Sequence, residues 1–175
     1  HLRDEKINMK TINKQPKTII DYAFWIHHKT SSWVAGMIGP MVFNFGSKDK
    51  NWNISTAQLL QYPEGSLGKT LGEFLKQHEV ELLAGAEYHD IHHILFDYSI
   101  SFKDEVALQF FLHGNGNKSI ASVSTRIGAW CLLPTEWKYL KAAYERGKTC
   151  KDISSINFKS MLDQDLTKVK ASLFA

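Results

Sequence analysis

Four residues near the middle of the chain have the types and the spacing of metal ligands. His89 and His93 are four residues apart, so in a helix both imidazoles lie on one face and can reach the same cation. Asp90 adjoins His89. The segment 97–103 allows the next helix to fold back and to bring Glu105, in its first turn, towards the histidines. We therefore predict a metal site formed by His89, Asp90, His93 and Glu105.

The donor atoms of this set favour some metals over others. Two imidazoles and two carboxylates suit zinc, and they also suit iron or manganese. The set lacks a thiolate, which argues against a closed structural zinc site and favours an open coordination position. We expect a divalent metal, zinc first, that acts as a Lewis acid on a carbonyl or carboxylate or lowers the pKa of a bound water molecule.

The spacing of two histidines does not by itself establish a metal site. Histidines four residues apart on a helix are more often exposed, or part of a core, than bound to a metal. His92 belongs to this ordinary class, because it points about 100° away from His93 along a helix. We expect His92 to be exposed or to lie behind the ligands.

Helices must position these residues, since the strand-type alternation of apolar and polar residues is scarce in this sequence. Ser66 is expected to cap a helix over 67–82, and Ser101 to cap the helix that carries Glu105 and ends at Gly114. We expect an all-α fold, a single compact domain of about six to eight helices with the metal site between two adjacent helices. Further helices are predicted at 16–27, 135–147 and 156–173.

Length and composition define the class of protein. The chain has 175 residues, of which 43% are hydrophobic and 22% are charged, as in a globular chain that buries a core. Residues 1–15 are interpreted as a polar N-terminal segment and 16–175 as one domain. The net charge of +3 comes from dispersed lysines, so nucleic acid is not expected as a partner. The longest apolar stretch, 34–45, is too short for a transmembrane helix.

Two motifs in the chain resemble those of a known family. The pattern HDxxH–x11–E, which runs from His89 to Glu105, is similar to the motif of the Coq4 family of ubiquinone-biosynthesis proteins. The sequence PEGSLG at 63–68 is similar to the PEGTLG turn of that family. The resemblance covers roughly residues 55–170.

The resemblance implies an all-helical fold, zinc bound by the motif residues and an apolar cleft for a polyprenyl tail. Coq4 proteins are associated with organising the ubiquinone-synthesis complex and with oxidative removal of the ring carboxylate from a prenylated hydroxybenzoate. We therefore expect a quinone-biosynthesis metalloprotein that binds a prenylated precursor or another isoprenoid lipid, with oxidative decarboxylase as the enzymatic activity to test.

The same resemblance implies a location and partners. Work at a membrane surface is expected, on the inner face of the cytoplasmic membrane or on the matrix side in mitochondria. The chain is expected to make peripheral contact with this membrane. Other biosynthetic enzymes, or a second copy of the chain in a homodimer, are the expected protein partners.

Two other functions stay open at this point. The first is a lipid-binding scaffold without catalytic activity, in which the metal is structural and the protein organises partner enzymes. The second is an HD-type metal-dependent hydrolase, suggested by the pair His89 and Asp90. Such a hydrolase needs an upstream histidine, for which His27 or His28 can be nominated, and a downstream aspartate, for which Asp152 can be nominated.

The sequence departs from the family pattern just after the second histidine of the motif. The family usually has a glycine shortly after this histidine, in the pattern HxLxG. Here the corresponding stretch runs from His93 through Ile, Leu and Phe to Asp97. The departure leaves open how the chain leaves the helix that carries the histidines.

Overall fold

The fold is helical, as the sequence predicted. In this computed structural model, residues 52–82, 85–119, 123, 125–127, 129 and 133–174 are described. Within those ranges the structure contains no strand, only an isolated bridge between Ser66 and Asp165. Positions 123, 125–127 and 129 are also helical. The helices described from end to end are α1 (Thr56–Leu59), α2 (Leu67–Gln77), α3 (Glu87–Phe96), α4 (Phe102–Gly114), α5 (Trp137–Thr149) and α6 (Leu166–Leu173), with 3₁₀ turns at Pro134–Glu136 and Phe158–Met161.

Some predictions concern residues outside the described ranges. They include the polar segment 1–15, the helix predicted at 16–27 and the apolar stretch 34–45. The division into one short segment and one domain therefore stays a prediction. In the part of the chain that is described, no helix is both long and apolar enough to cross a bilayer.

Serine residues start the two helices that the sequence predicted them to start. The Ser66 hydroxyl accepts a hydrogen bond from the Lys69 N–H (3.2 Å) at the beginning of α2. The Ser101 hydroxyl accepts one from the Asp104 N–H (3.3 Å) at the beginning of α4. These side chains satisfy backbone donors that have no partner within the helix. The second cap matters for the site, because it fixes the first turn that carries Glu105.

The helix after Ser66 ends earlier than the sequence predicted. α2 ends at Gln77 and does not continue over 78–82. Glu79 takes a left-handed backbone conformation with φ of 55°, and the Val80 N–H donates to the Leu75 carbonyl (3.0 Å). This is the hydrogen bond of a Schellman motif, which closes a helix by satisfying one of its last carbonyls.

The C-terminal segment is also broken where the sequence predicted one helix over 156–173. The 3₁₀ turn at Phe158–Met161 and helix α6 are separate elements. Asp165 starts α6, because its side chain accepts a hydrogen bond from the Lys168 N–H (3.0 Å). An N-cap inside the predicted helix therefore marks the break.

The backbone of the PEGSLG turn at 63–68 is hydrogen-bonded to the residues on both sides of this break. Gly65, with φ of 73°, offers its carbonyl to the Leu166 N–H (2.9 Å). The Gly68 N–H donates to the Leu162 carbonyl (2.7 Å). A Cβ atom on Gly68 would lie 2.8 Å from the same carbonyl oxygen, which is closer than side chains pack. The second glycine of the motif thus permits contact between two distant backbones.

Helices α4 and α5 form the most extensive helix pair among the described elements. Glycines let their backbones approach closely. A Cβ atom on Gly147 would lie 2.0 Å from the Phe111 carbonyl oxygen, and one on Gly114 would lie 2.1 Å from the Tyr144 carbonyl oxygen. The side-chain amide of Asn115, just after α4, donates to the Gly147 carbonyl (3.2 Å). The crossing of the two helices is therefore fixed by backbone contact.

Apolar side chains from all the longer helices meet in one core. Helix α3 lies beside α4 because both helices bury one face in this core. The largest fully buried side chains are Phe96, Phe111, Phe158, Leu59, Leu67, Leu71, Leu75, Ile91, Leu95, Leu108, Leu140 and Leu162.

Substitution of Gly147 tests the backbone contact between α4 and α5. Alanine has a higher helix propensity than glycine by about 1 kcal/mol, but its Cβ would collide with the Phe111 carbonyl oxygen. We expect Gly147→Ala to lower the free energy of unfolding by about 1–3 kcal/mol, the usual cost of overpacking. Urea denaturation measures the change.

The matched control is Lys141→Ala, at an exposed position of the same helix, which should change stability by at most about 0.5 kcal/mol. A Gly147→Ala protein as stable as the wild type would contradict the proposed close crossing.

Candidate metal centre

Three of the four predicted ligands converge between α3 and α4. His89 and His93 lie one turn apart on α3, and Glu105 lies in the first turn of α4. The Nε2 atom of His89 is 3.1 Å from Glu105 Oε2, and the Nε2 atom of His93 is 3.1 Å from Glu105 Oε1. One nitrogen or oxygen atom from each residue lies within 4.8 Å of the other two. This group can hold a metal ion between two adjacent helices.

A backbone hydrogen bond fixes the direction in which His93 offers its lone pair. The ring is buried, and its Nδ1 atom lies 3.0 Å from the Tyr98 carbonyl oxygen. A carbonyl oxygen only accepts, so Nδ1 carries a proton, and in the neutral ring Nε2 carries the lone pair. A histidine that binds a metal through one ring nitrogen usually donates a hydrogen bond from the other, which fixes the orientation of the ring.

The donor set fits a metal ion on chemical grounds. His93 Nε2 is buried and has no hydrogen-bond partner among the described residues, although Glu105 Oε1 is 3.1 Å away. Two lone pairs that face each other at this distance repel unless a cation lies near both. Two imidazole nitrogens and a carboxylate are ligands that zinc and other divalent metals accept.

Asp90 is the predicted ligand that the structure does not bring into this group. Its Oδ1 atom is 3.6 Å from His89 Nδ1, whereas Glu105 lies at Nε2 of the same ring. The carboxylates of Asp90 and Glu105 thus lie on opposite sides of the imidazole. In this position Asp90 can orient the ring and fix its tautomer, as carboxylates behind metal-bound histidines do.

Opposite charges hold the site together in the metal-free protein. Burial lowers the pKa of His89, but the carboxylates of Asp90 and Glu105 outweigh it and raise this pKa to about 9. Burial raises the pKa of Glu105, but the hydrogen bond with His89 and the charge of His89 outweigh it and lower this pKa below its usual range. At neutral pH, a proton on His89 therefore neutralises Glu105.

His92 is not exposed, contrary to one of the two positions expected from the sequence. Both of its ring nitrogens are buried and have no hydrogen-bond partner among the described residues. The ring stacks on Phe96 and meets Tyr88 and Phe158 edge to face. Burial, followed by the charges of the neighbouring histidines, lowers its pKa to about 3. His92 is therefore an uncharged packing residue that lies beside the His89 and His93 face of α3 and points towards apolar rings.

Glu87 is a residue of this region that the sequence analysis did not single out. Its side chain is buried, and its two carboxylate oxygens accept hydrogen bonds from the N–H groups of Trp52 (3.1 Å) and Gly85 (2.6 Å). These bonds tie the start of α3 to the segment ahead of α1 and to the backbone just before the helix. The only signal in the sequence is an acidic residue two positions before His89, at the N-terminus of the predicted helix.

Comparison with known proteins identifies the family. A family described as coenzyme Q (ubiquinone) biosynthesis protein Coq4 matches residues 84–174, just over half of the chain. The chain belongs to the Coq4 family. The matched range contains His89, Asp90, His93 and Glu105, so the resemblance based on the motif is confirmed.

A solved structure shares the fold of this chain. A protein from Nostoc punctiforme PCC 73102, described as a candidate ubiquinone biosynthesis protein, is 18% identical with a TM-score of 0.54. The similarity covers 85% of this chain and 81% of that chain. At this identity the likeness establishes the fold alone. The curated proteins include no significant match.

Asp97 occupies the position of the usual Coq4 glycine and adopts the backbone conformation that a glycine favours. Its φ is 58°, in the left-handed region, at the end of α3. Aspartate enters this region more readily than most residues with a side chain. The Asp97 carboxylate also contacts the Lys170 ammonium at 2.5 Å. The chain thus leaves α3 through a left-handed residue, the conformation that glycine adopts most readily.

Of the residues nominated for an HD-type hydrolase, only Asp152 is described, and it does not add to the site. Asp152 is exposed, and its side chain accepts a hydrogen bond from the Ser154 N–H (2.9 Å). It is not part of the converging group. His27 and His28 lie outside the described residues. The described part of the chain therefore offers no support for this alternative.

The position of Asp90 predicts a graded effect of substitution on metal binding. Asp90→Ala leaves three converging ligands and removes the carboxylate behind His89, so zinc affinity should fall about 10–100-fold while one ion still binds. Glu105→Ala removes a ligand and should abolish stoichiometric binding. Competition with a chromogenic chelator measures both affinities, with circular dichroism as the folding control. An equal loss in the two variants would show that Asp90 is itself a ligand.

The raised pKa of His89 predicts how zinc binding depends on pH. Because this pKa is about 9 in the metal-free protein, the ring is protonated at neutral pH and zinc must displace a proton. Affinity should therefore rise with pH, by about tenfold per unit below the pKa, with about one proton released per ion. Calorimetry in buffers of different ionisation enthalpy counts the protons. A pH-independent affinity would contradict the ion pair between His89 and Glu105.

Proposed function

We propose that this chain is a metal-dependent protein of quinone biosynthesis that binds a prenylated aromatic precursor and supports the replacement of its ring carboxylate by a hydroxyl group. One observation carries the proposal. The motif residues of a Coq4 chain place two imidazole nitrogens and one carboxylate around a common point, with no protein donor on His93 Nε2 in the described residues.

His89, His93 and Glu105 are the residues that would hold the metal, which we propose to be zinc, with iron or manganese as the other candidates. A catalytic metal site has three protein ligands and leaves one position open. When bound, such a metal supplies Lewis-acid chemistry towards a carboxylate or phenolate. The chain itself orients the ligands, through Asp90 at His89 and through the Tyr98 carbonyl at His93.

The proposed reaction needs reactants other than the precursor. Replacing a ring carboxylate by a hydroxyl group takes one oxygen atom from O₂ and two electrons from a reductant, and it releases CO₂ and water. Zinc has no redox chemistry, so a zinc-loaded chain would bind and orient the precursor while a partner enzyme supplies the electrons. The identity of the metal thus distinguishes catalysis by this chain from a scaffold role.

The prenyl tail implies contact with a membrane, on its inner face or on the matrix side. Each methylene group buried in a bilayer contributes about 0.8 kcal/mol, so the precursor stays in the membrane and the protein must approach it. Exposed apolar side chains support peripheral contact of this kind. Val123 and Ile127, one helical turn apart, are 40% and 70% exposed, and Trp137 is 43% exposed.

A quinone-deficient strain that lacks its own Coq4 protein provides the test. The wild-type chain should restore ubiquinone, measured by mass spectrometry of extracted lipids, whereas His89→Ala and Glu105→Ala should not. Glu73→Ala, which removes an exposed carboxylate of α2, is the matched control and should restore it. Metal content of the purified proteins is measured in parallel.

Two outcomes decide between the alternatives. Turnover of a prenylated hydroxybenzoate by the purified, metal-loaded chain with a reductant would establish an enzyme. Restoration in cells without turnover, together with loss of partner-enzyme assembly in the ligand variants, would establish the scaffold. A wild-type chain that binds no metal after reconstitution, or ligand variants that restore ubiquinone fully, would overturn the proposed function.

A further inference from the structure

Arg146 lies on α5, and its side chain reaches the C-terminal end of α3, the helix that carries His89 and His93. Its Nη1 atom donates a hydrogen bond to the Phe96 carbonyl (2.6 Å), the last carbonyl of α3. The guanidinium carbon is 5.7 Å from the ring centre of Tyr98 and 5.3 Å from that of Phe174. Among the described residues no carboxylate forms an ion pair with Arg146. The guanidinium is therefore held by a helix end and by aromatic rings.

The segment fixed by Arg146 is the segment that holds the buried metal ligand. The Tyr98 carbonyl accepts the hydrogen bond from His93 Nδ1 (3.0 Å). The Tyr98 N–H donates to the His93 carbonyl (3.2 Å). Arg146 contacts this short turn on both sides of Asp97, at the Phe96 carbonyl and at the Tyr98 ring. One guanidinium thus restrains the backbone that selects the tautomer of His93.

The tautomer of His93 matters because the ring can donate its hydrogen bond to either of two acceptors. With the proton on Nδ1, the ring donates to Tyr98 and offers Nε2 as a ligand. With the proton on Nε2, the ring could instead donate to Glu105 Oε1, which is 3.1 Å away. In that second tautomer His93 and Glu105 would be hydrogen-bonded to each other, and this bond would compete with a metal ion for both side chains. The position of the Tyr98 carbonyl therefore controls whether the ligand set is available.

We propose that Arg146 is a positioning residue of the metal centre, which acts through the Tyr98 carbonyl to keep the proton of His93 on Nδ1. The inference rests on the proposed function of His89, His93 and Glu105 as metal ligands. Arg146 touches no ligand atom, so its contribution is to the geometry of the turn 96–98 and not to coordination. Loss of a group behind a metal ligand typically lowers metal affinity about 10–100-fold.

Lys170 provides the matched control, because it acts at the same helix end without reaching the Tyr98 carbonyl. Its ammonium contacts the Asp97 side chain at 2.5 Å. Lys170→Met therefore removes a cation from the C-terminus of α3 and leaves the contacts of Arg146 intact. If Arg146 only stabilised the helix, Arg146→Met and Lys170→Met should have similar effects on the metal.

The experiment measures the zinc affinity of four folded proteins by chelator competition. Arg146→Met should bind zinc about 10–100-fold more weakly than the wild type, and Lys170→Met should bind it as tightly as the wild type. Arg146→Lys, which keeps one charged donor for the Phe96 carbonyl, should recover part of the loss. It also serves as the test variant if Arg146→Met does not fold.

A second readout follows the proton itself. Long-range ¹H–¹⁵N correlation spectra of ¹⁵N-histidine-labelled, metal-free protein should show His93 protonated at Nδ1 in the wild type and in Lys170→Met. In the Arg146 variants this signal should weaken or be replaced by that of the other tautomer. Unchanged affinity and an unchanged His93 spectrum in both Arg146 variants would overturn the inference and leave the proposed function standing. A wild-type chain that binds no zinc would overturn both.

Discussion

The hydrogen bond from His93 Nδ1 to the Tyr98 carbonyl (3.0 Å) is the interaction on which the candidate centre depends. It directs a buried lone pair towards Glu105, where only a proton or a metal ion can relieve the repulsion between acceptors. In the metal-free protein the proton on His89 serves this purpose for the carboxylate, as the raised pKa of His89 and the lowered pKa of Glu105 show. The same residues therefore accept either a proton or a metal.

The packing of α4 against α5 positions the residues around the hydrogen bond between His93 and Tyr98. Gly147 touches the Phe111 backbone, and this contact brings the preceding residue, Arg146, to the end of α3. At the other end of the same helix pair, the Tyr139 hydroxyl donates to Asp104 (2.7 Å), the residue before Glu105. The helix pair thus restrains both the carboxylate ligand and the turn behind His93, although neither α5 residue touches a ligand atom.

The sequence allowed the fold class and three of the converging residues to be predicted, because helical periodicity and serine caps are local signals. Asp90 was predicted as a ligand from adjacency, but neighbours on a helix point about 100° apart, and its carboxylate lies at the other nitrogen of His89. Tyr98 acts through a carbonyl that every residue has, so no side-chain pattern could reveal it. Arg146 is remote in sequence and reaches the site only through the crossing of two helices.

Contacts at both ends of helix α3 add to the stability that its buried apolar side chains provide. Three histidines and an aspartate take up much of its length, and none of them is a strong helix former. At the N-terminus the buried Glu87 carboxylate ties the helix to Trp52, ahead of α1, and to the Gly85 backbone just before the helix, and at the C-terminus two cations face the last turn, as the helix dipole favours. These end contacts and the apolar face of α3 offset the weak helix propensity of the histidines and the aspartate. Histidines that can hold a metal can therefore lie at the edge of a small helical core, where His93 is buried against Phe74.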